Sequence, residues 1–234
     1  MKYLAANREN YKSRGDERNM AIVVDGIIGV GKSTVAKFLS EELGIKLYQE
    51  ILDDAAESLT QRMLDKFYGD QTRWSAIIQV MFLNHRFKDL KRIEKELENG
   101  ILDRSIYGDE IFARTIHQRG QMSEDELIIY RELLSNMLEH IKAPELLIYL
   151  DVTVDTAMKR IKKRSRSTEG DLIPEDYLID LQNNYNEWYE EFSLCPKIKI
   201  DLNQEGELND EKKKMILDKI RPYITEVSIN EKAL

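Results

Sequence analysis

Short apolar runs alternate along this chain with longer segments whose apolar residues recur every three or four positions. Apolar runs of this length predict buried β-strands, whereas the recurring pattern predicts amphipathic helices. Strands are predicted at Ala21–Asp25, Lys46–Gln49, Gly100–Asp103, Leu146–Asp151 and Lys197–Asp201. Helices are predicted at about residues 32–43, 53–67, 72–98, 106–117, 123–141, 153–163, 174–191 and 209–220.

This alternation predicts an α/β protein with a five-stranded parallel sheet in a three-layer α/β/α arrangement. Strands that are apolar along their whole length must be buried on both faces, which requires helices on either side of the sheet. The 234 residues include only 11 Gly and 4 Pro, and neither a repeat nor a low-complexity linker divides them. We therefore predict a single domain over residues 21–234, preceded by a polar N-terminal extension over residues 1–20.

The composition restricts the possible partners of this domain. The net charge of −8 and the pI of about 5.2 argue against non-specific binding to a nucleic-acid backbone. The single Cys195 excludes an intrachain disulfide and a cysteine metal site. The N-terminus is polar, and the chain has no apolar run long enough for a membrane span. We expect a cytoplasmic protein that binds neither nucleic acid nor membrane.

The first predicted strand leads directly into Gly-Ile-Ile-Gly-Val-Gly-Lys-Ser at residues 26–33, which matches the G-x-x-x-x-G-K-S pattern. Between a strand and a helix this pattern is the P-loop (Walker A motif), whose backbone N–H groups close around phosphate oxygens. The lysine reaches the β/γ-phosphates and the serine hydroxyl ligates Mg²⁺, while the next helix points its positive end at the same anion. ATP and Mg²⁺ are thus the expected cofactors, and the candidate nucleotide-binding residues are Gly26, Gly29, Val30, Gly31, Lys32, Ser33 and Thr34.

Charged residues end or follow the predicted strands, at the edge where an open parallel sheet carries its ligands. Asp103 ends the third strand and can either hold Mg²⁺ or cap the following helix. Its neighbour Arg104 can stabilise charge on a transferred phosphoryl group. Glu50 follows the second strand and is either a general base for an attacking hydroxyl or an exposed loop residue.

Two further features each allow a functional and a structural interpretation. Gln79 and Arg86 lie two turns apart on one predicted helix face, where they can pair with a base edge or simply form a polar surface. Residues 160–166 carry five cations, among them Arg160, Arg164 and Arg166. They form either a lid that closes over ATP phosphates or a helix end at which the dipole favours cations.

Together these motifs resemble the deoxyribonucleoside kinase family, in particular its bacterial members, over about Ala21 to Trp188. The resemblance rests on the P-loop, Glu50, the Asp103-Arg104-Ser105 motif and the arginines of residues 160–166. It rests equally on the order and spacing of Tyr68, Gln79, Arg86, Asp109 and Glu169.

The resemblance implies a P-loop kinase fold with a helical lid, and phosphorylation of the 5′-hydroxyl of a deoxyribonucleoside by ATP in nucleotide salvage. It favours a purine acceptor, deoxyadenosine above all, and a homodimer that pairs the helices at 72–98 and 123–141. It implies Glu50 as general base, Arg104 and Lys32 as further catalytic residues, and Asp103 with Ser33 as Mg²⁺ ligands. Donor phosphates would contact Arg160, Arg164 and Arg166, and the acceptor would contact Tyr68, Gln79, Arg86, Asp109, Phe112 and Glu169.

Two alternatives share part of this pattern. Thymidylate kinase also has a P-loop, an Asp-Arg motif and a lid, but its acceptor carries a phosphate that a carboxylate at Glu50 would repel. A nucleotide-dependent switch or binding module needs no acceptor pocket, and would leave the set from Tyr68 to Glu169 unexplained.

Overall fold

The computed structural model describes residues 20–49, 58–96, 99–164, 173–204 and 206–224. Within these ranges the five strands are β1 (Ala21–Asp25), β2 (Lys46–Tyr48), β3 (Gly100–Asp103), β4 (Leu146–Asp151) and β5 (Lys197–Asp201). The α-helices are α1 (Lys32–Leu43), α2 (Leu59–Gly69), α3 (Gln71–Glu96), α4 (Asp109–Gln118), α5 (Glu124–Leu138), α6 (Val154–Arg164), α7 (Glu175–Glu191) and α8 (Asp210–Ile220). Short 3₁₀ turns lie at Ile106–Gly108 and Arg221–Tyr223.

The five strands form one parallel sheet in the order β2-β3-β1-β4-β5. The central strand β1 pairs with both β3 and β4, so that Val24 lies opposite Asp103 and Asp25 opposite Tyr149. The loops after β1, β3 and β4 therefore open side by side at one edge of the sheet. The predicted five-stranded parallel sheet is confirmed.

The core lies on both faces of this sheet. Side chains of a strand alternate between the two faces, yet every residue of β1 and β3 is buried. Both faces must therefore be covered by helices, as predicted. Large aromatic side chains of β4 and α7, including Tyr149, Tyr185 and Trp188, fill the side of the core next to the carboxyl edge of β1.

Two predicted helices differ from the structure at their N-terminal ends. The helix predicted at 53–67 is described only from Leu59 to Gly69, where the Ser58 hydroxyl accepts the N–H of Gln61 as an N-cap. The helix predicted at 106–117 is divided, because the chain leaves β3 through a tight 3₁₀ turn and α4 starts only at Asp109.

Several predictions concern residues outside the described ranges. They are the extension up to residue 19, Glu50, and the part of the lid beyond α6, which includes Arg166 and Glu169. Met20, assigned to the extension, is buried and donates its N–H to Asn99 Oδ1 at 2.8 Å. In the part of the chain that the structure describes, no helix has the length and apolar character needed to cross a membrane.

Candidate active site

The P-loop connects β1 to α1 and packs tightly against α6. At Gly29, with φ of 82°, a Cβ atom would lie 2.7 Å from the Ala157 carbonyl oxygen and 2.8 Å from Ile161 Cγ1. At Gly31, the N-cap of α1, φ is 106°, which side chains other than glycine rarely adopt. Glycine is thus required at one position by the close approach of α6 and at the other by the backbone conformation.

Lys32 lies over this loop with its side chain buried. Its Nζ donates to the carbonyl oxygens of Gly26 at 3.1 Å and Ile27 at 2.9 Å. Ser33 and Thr34 follow on the exposed first turn of α1, whose backbone N–H groups lack intrahelical acceptors. A positive charge and a helix N-terminus therefore meet at one point, which is the arrangement that binds phosphate.

The P-loop faces a cleft of about 1070 Å³. This volume is slightly above the usual range for small-molecule sites, about 300–1,000 Å³, so the cleft has room for more than one small ligand. Apolar side chains of α2, α3 and α4 line one part of it, with the buried amide of Gln79 among them. The structure thus brings together, around one space, the predicted site residues Gly29, Gly31, Lys32, Ser33, Thr34, Tyr68, Gln79, Arg104, Phe112 and Arg160.

Arg104 has an unusual backbone at the end of β3. Its φ is 72°, the left-handed region, although it is not glycine. Its N–H donates to the Val24 carbonyl at 2.9 Å, and its guanidinium lies 4.4 Å from the Phe112 ring centroid. Such a backbone costs about 1–3 kcal/mol and persists only where surrounding contacts impose it, so the fold holds Arg104 in place at the cleft.

Arg86 and Asp109 form an ion pair beside the cleft. Neither Arg86 nor Asp109 is among the described residues that line the large cleft. Arg86 instead lines a small recess that shares Phe82 and Arg104 with the cleft. Burial raises the pKa of Asp109 to about 6, although Arg86 and Arg104 both act to lower it. Of the two residues expected at the base edge, Arg86 therefore lies beyond Phe82 and Arg104, and Asp109 is buried against Arg86.

Asp103 lies in the same recess with its side chain buried at the carboxyl edge of β3. Its oxygens, together with the Ser33 hydroxyl, are hard ligands of the kind that Mg²⁺ prefers. Within the described ranges there is no group of three or more His, Cys, Asp or Glu residues that could hold a metal ion. Each residue is chemically suitable for Mg²⁺, which commonly takes only one or two protein ligands alongside phosphates and water, but Ser33 lines the cleft and Asp103 lines the recess.

Arg160 joins the P-loop to the loop after β5. Its guanidinium donates to the Val30 carbonyl at 2.9 Å and to the Leu202 carbonyl at 2.7 Å. A groove of about 670 Å³ opens beside it, continuous with the cleft at Gly31 and lined by Phe38 and Leu208. The backbone of Arg164 ends α6, but its side chain, like Glu50, Arg166 and Glu169, lies outside what is described.

Among the residues that the sequence did not indicate, three make contacts that hold the site together. Arg119 binds Asp176 at 2.9 Å and Asp180 at 2.7 Å, which fastens the start of α7 to the cleft wall. Asp25 and Tyr185 are buried next to Arg104. Asp25 had a usable signal, because it is a charged residue ending an apolar strand, as Asp103 is. Tyr185 lies within an ordinary helical pattern and Arg119 directly follows the end of one, so neither carries such a signal.

A P-loop at the central strand of a parallel sheet, facing a cleft with room for a nucleotide and a second ligand, defines a P-loop phosphotransferase. Residues 22–225 match the family model described as Deoxynucleoside kinase. The chain belongs to the deoxynucleoside kinase family.

Individual relatives agree with this assignment. A deoxyguanosine kinase of Lactobacillus acidophilus is 37% identical over 215 residues, which cover 88% of this chain and 91% of the relative. A deoxyadenosine/deoxycytidine kinase of Bacillus subtilis is 35% identical over 211 residues, covering 88% and 94% respectively. The structure of an M. mycoides deoxyadenosine kinase with the products dCMP and a flexible dCDP is 29% identical, with a TM-score of 0.73 over 87% of this chain and 100% of that chain.

The protein is therefore a phosphotransferase that phosphorylates deoxynucleosides, which confirms the resemblance seen in the sequence. The same family assignment decides against thymidylate kinase and against a nucleotide-dependent switch.

Proposed function

We propose that this kinase transfers the γ-phosphoryl group of ATP to the 5′-hydroxyl of a purine deoxynucleoside in nucleotide salvage, with deoxyadenosine as the first candidate. One observation carries the proposal: Lys32 and Ser33 of the P-loop share a single cleft with the buried amide of Gln79 and the ring of Phe112. The purine preference is supported by the relatives named deoxyguanosine kinase and deoxyadenosine/deoxycytidine kinase.

The acceptor base would lie in the apolar part of the cleft. Ile78, Phe82 and Phe112 offer flat or apolar surfaces there, and Gln79 offers both a donor and an acceptor. An amide of this kind pairs with adenine in a bidentate way. In this proposal Arg86 acts at the base edge from the adjoining recess, and Asp109 acts there through its ion pair with Arg86. Tyr68 and Glu169 bind the sugar.

The donor would bind along the P-loop and the adjoining groove. Its phosphates would meet the N–H groups of residues 29–34 and the Lys32 ammonium, and its nucleoside part would enter the groove beside Phe38. Arg160 supports this arrangement because it holds the Val30 carbonyl in place. Arg164 and Arg166 would reach the donor phosphates from the lid.

Catalysis in this proposal is mainly positioning and charge stabilisation. The Glu50 carboxylate accepts the proton of the 5′-hydroxyl as the oxygen attacks phosphorus. Arg104 and Lys32 stabilise the negative charge on the transferred group and the departing diphosphate. Ser33 and Asp103 would hold Mg²⁺, which when bound neutralises charge on the phosphate oxygens.

We further propose a homodimer formed by the outer faces of α3 and α5. These faces expose Ile77 of α3 and Ile128 and Ile129 of α5, each more than half accessible. Helices α3 and α5 also contact each other within the chain, so these side chains belong to neighbouring helices. Analytical ultracentrifugation would test this, since a monomer at micromolar concentration contradicts it.

Phosphoryl transfer from radiolabelled ATP and Mg²⁺ to the four deoxyribonucleosides and dTMP tests the proposed reaction. Fastest transfer to deoxyadenosine supports the full proposal. Preference for another deoxyribonucleoside corrects the substrate and leaves the chemistry intact. Transfer only to dTMP, or to none of the five with ATP still bound, contradicts it.

A further inference from the structure

A buried chain of hydrogen bonds joins Arg104 to the first residue of the P-loop. Arg104 Nη1 donates to the Tyr185 hydroxyl at 2.9 Å, and this hydroxyl donates to Asp25 Oδ1 at 2.7 Å. The same carboxylate oxygen accepts the backbone N–H of Gly26 at 2.8 Å. The three side chains are at most 4% exposed. Water therefore does not compete for these bonds, and each partner has a fixed direction.

The surroundings hold each member of this chain in place. A Cβ atom on Gly108 would lie 2.6 Å from Asp25 Oδ2, so the turn before α4 leaves room for the carboxylate only because residue 108 is glycine. The ring of Tyr185 is stacked against Tyr149, with centroids 6.0 Å apart and planes 10° apart, and it meets Phe112 edge-on. The hydroxyl position is thereby set by packing on two sides.

We propose that Tyr185, supported by Asp25, is a positioning residue that orients the Arg104 guanidinium for phosphoryl transfer and ties that orientation to the P-loop. Phe112 fixes the face of the guanidinium and Tyr185 fixes one of its edges. Gly26, whose N–H Asp25 accepts, begins the loop that would bind the donor. The Asp25 carboxylate therefore links the position of Arg104, through Tyr185, to the start of the loop that would bind the donor.

The Tyr185 hydroxyl accepts from Arg104 as a neutral group and donates to Asp25, so this contact adds no negative charge directly to the guanidinium. Burial raises the pKa of Tyr185 well above its usual value, so the hydroxyl remains protonated at neutral pH.

The variant Tyr185→Phe tests this role, because it removes the hydroxyl and keeps the ring. Loss of one hydrogen bond to a charged group predicts a kcat lower by about tenfold, with KM for nucleoside and for ATP changed by less than about twofold. Tyr189→Phe is the matched control, since Tyr189 lies on the same helix and also stacks on Tyr149. The control should keep the wild-type kcat.

A double-mutant cycle separates positioning from general damage to the fold. If Tyr185 acts through Arg104, adding Tyr185→Phe to Arg104→Gln lowers kcat by less than about twofold further. An equal loss in both backgrounds, or a wild-type kcat for Tyr185→Phe, overturns the proposal. Because Tyr185 is assigned a role through Arg104, the inference rests on the proposed function. A fully active Arg104→Gln would contradict the role of Arg104 itself, and with it that of Tyr185.

Asp25→Asn provides a second probe that retains the shape of the carboxylate. It weakens the acceptor for Tyr185, so we expect a smaller fall in kcat in the same direction, again with little change in KM. Thermal unfolding of each variant completes the test. A variant with a lower Tm but an unchanged kcat would mean that the chain is structural only, and would overturn the proposal.

Discussion

Arg86 and Asp109 form an ion pair almost entirely withdrawn from solvent, with side chains 11% and 1% exposed. The carboxyl group of Asp109 is pushed towards its neutral form, so that its pKa rises to about 6, while the guanidinium of Arg86 opposes that shift. An ion pair that depends on pH near neutrality therefore lies beside the cleft.

The pH dependence of stability should reveal this group. Between the ordinary pKa of an Asp, about 4, and its folded-state pKa of about 6, the folded protein binds more protons at Asp109 than the unfolded chain does. The contribution of Asp109 to the free energy of unfolding should therefore fall as pH rises from about 4 to about 6, and level off above. Denaturant unfolding at several pH values, for the wild type and Asp109→Asn, measures the difference. Identical slopes for the two proteins would contradict the raised pKa.

Glu50→Gln tests the proposed general base. The amide cannot accept the proton of the 5′-hydroxyl, so kcat should fall by about 10²–10⁴-fold, the usual contribution of such a base. The variant should still bind nucleoside and should unfold at the wild-type temperature. Gln49→Glu in the Glu50→Gln background is a control for position, because moving the carboxylate by one residue should not restore activity. Near-normal turnover of Glu50→Gln would remove Glu50 from this role.

Arg104→Lys tests whether the guanidinium, and not only its charge, is required. Lysine cannot lie flat on Phe112 and donate to Tyr185 at the same time, because its ammonium lacks the planar fork. We expect kcat to fall by about a hundredfold, which is typical for a lost transition-state donor. Single-turnover kinetics would show the loss in the chemical step. Full activity would mean that a point charge is sufficient.

Gly29→Ala should damage the P-loop through a steric clash. The new Cβ would meet the backbone oxygen of Ala157 at 2.7 Å, and neither the loop nor α6 can move away without distorting the donor site. Gly44→Ala is the matched control, because Gly44 also has a positive φ, 65°, but has open space where a Cβ would lie. The control should lose about 1 kcal/mol of stability with normal ATP binding. Gly29→Ala should bind ATP at least about tenfold more weakly than the wild type, because a small misplacement of positioning groups is costly. Isothermal titration calorimetry measures this difference. Equal ATP affinities of Gly29→Ala and the wild type would exclude the clash.

The fold was accessible from the sequence because its strands are buried on both faces. Such strands appear as continuous apolar runs with polar residues at their ends, and β4 therefore begins and ends where predicted, at Leu146 and Asp151. The ends of the helices were harder to predict than the ends of the strands. The 3₁₀ turn at Ile106–Gly108 depends on how the chain leaves β3, which residue periodicity does not report.

The site was predictable where residues are close in sequence and less so where they meet only through folding. The P-loop is a local motif, so its residues could be assigned directly. Gln79 and Arg86 share a helix and were expected to share a function, yet the structure places Gln79 in the cleft and Arg86 in the recess. Tyr185 is 81 residues from Arg104, and only the packing of α7 against the carboxyl edge of β1 brings their polar atoms together.

The left-handed backbone at Arg104 sets local conformation against side-chain contacts at one position. Glycine there would relieve the strained φ angle, but it would also remove a buried guanidinium together with its hydrogen bond to Tyr185 and its stacking on Phe112. Selection for turnover should therefore keep an arginine at a position where glycine has the favoured backbone conformation. The end of β3 is a place where a more stable version of this enzyme cannot be sought by improving the local conformation.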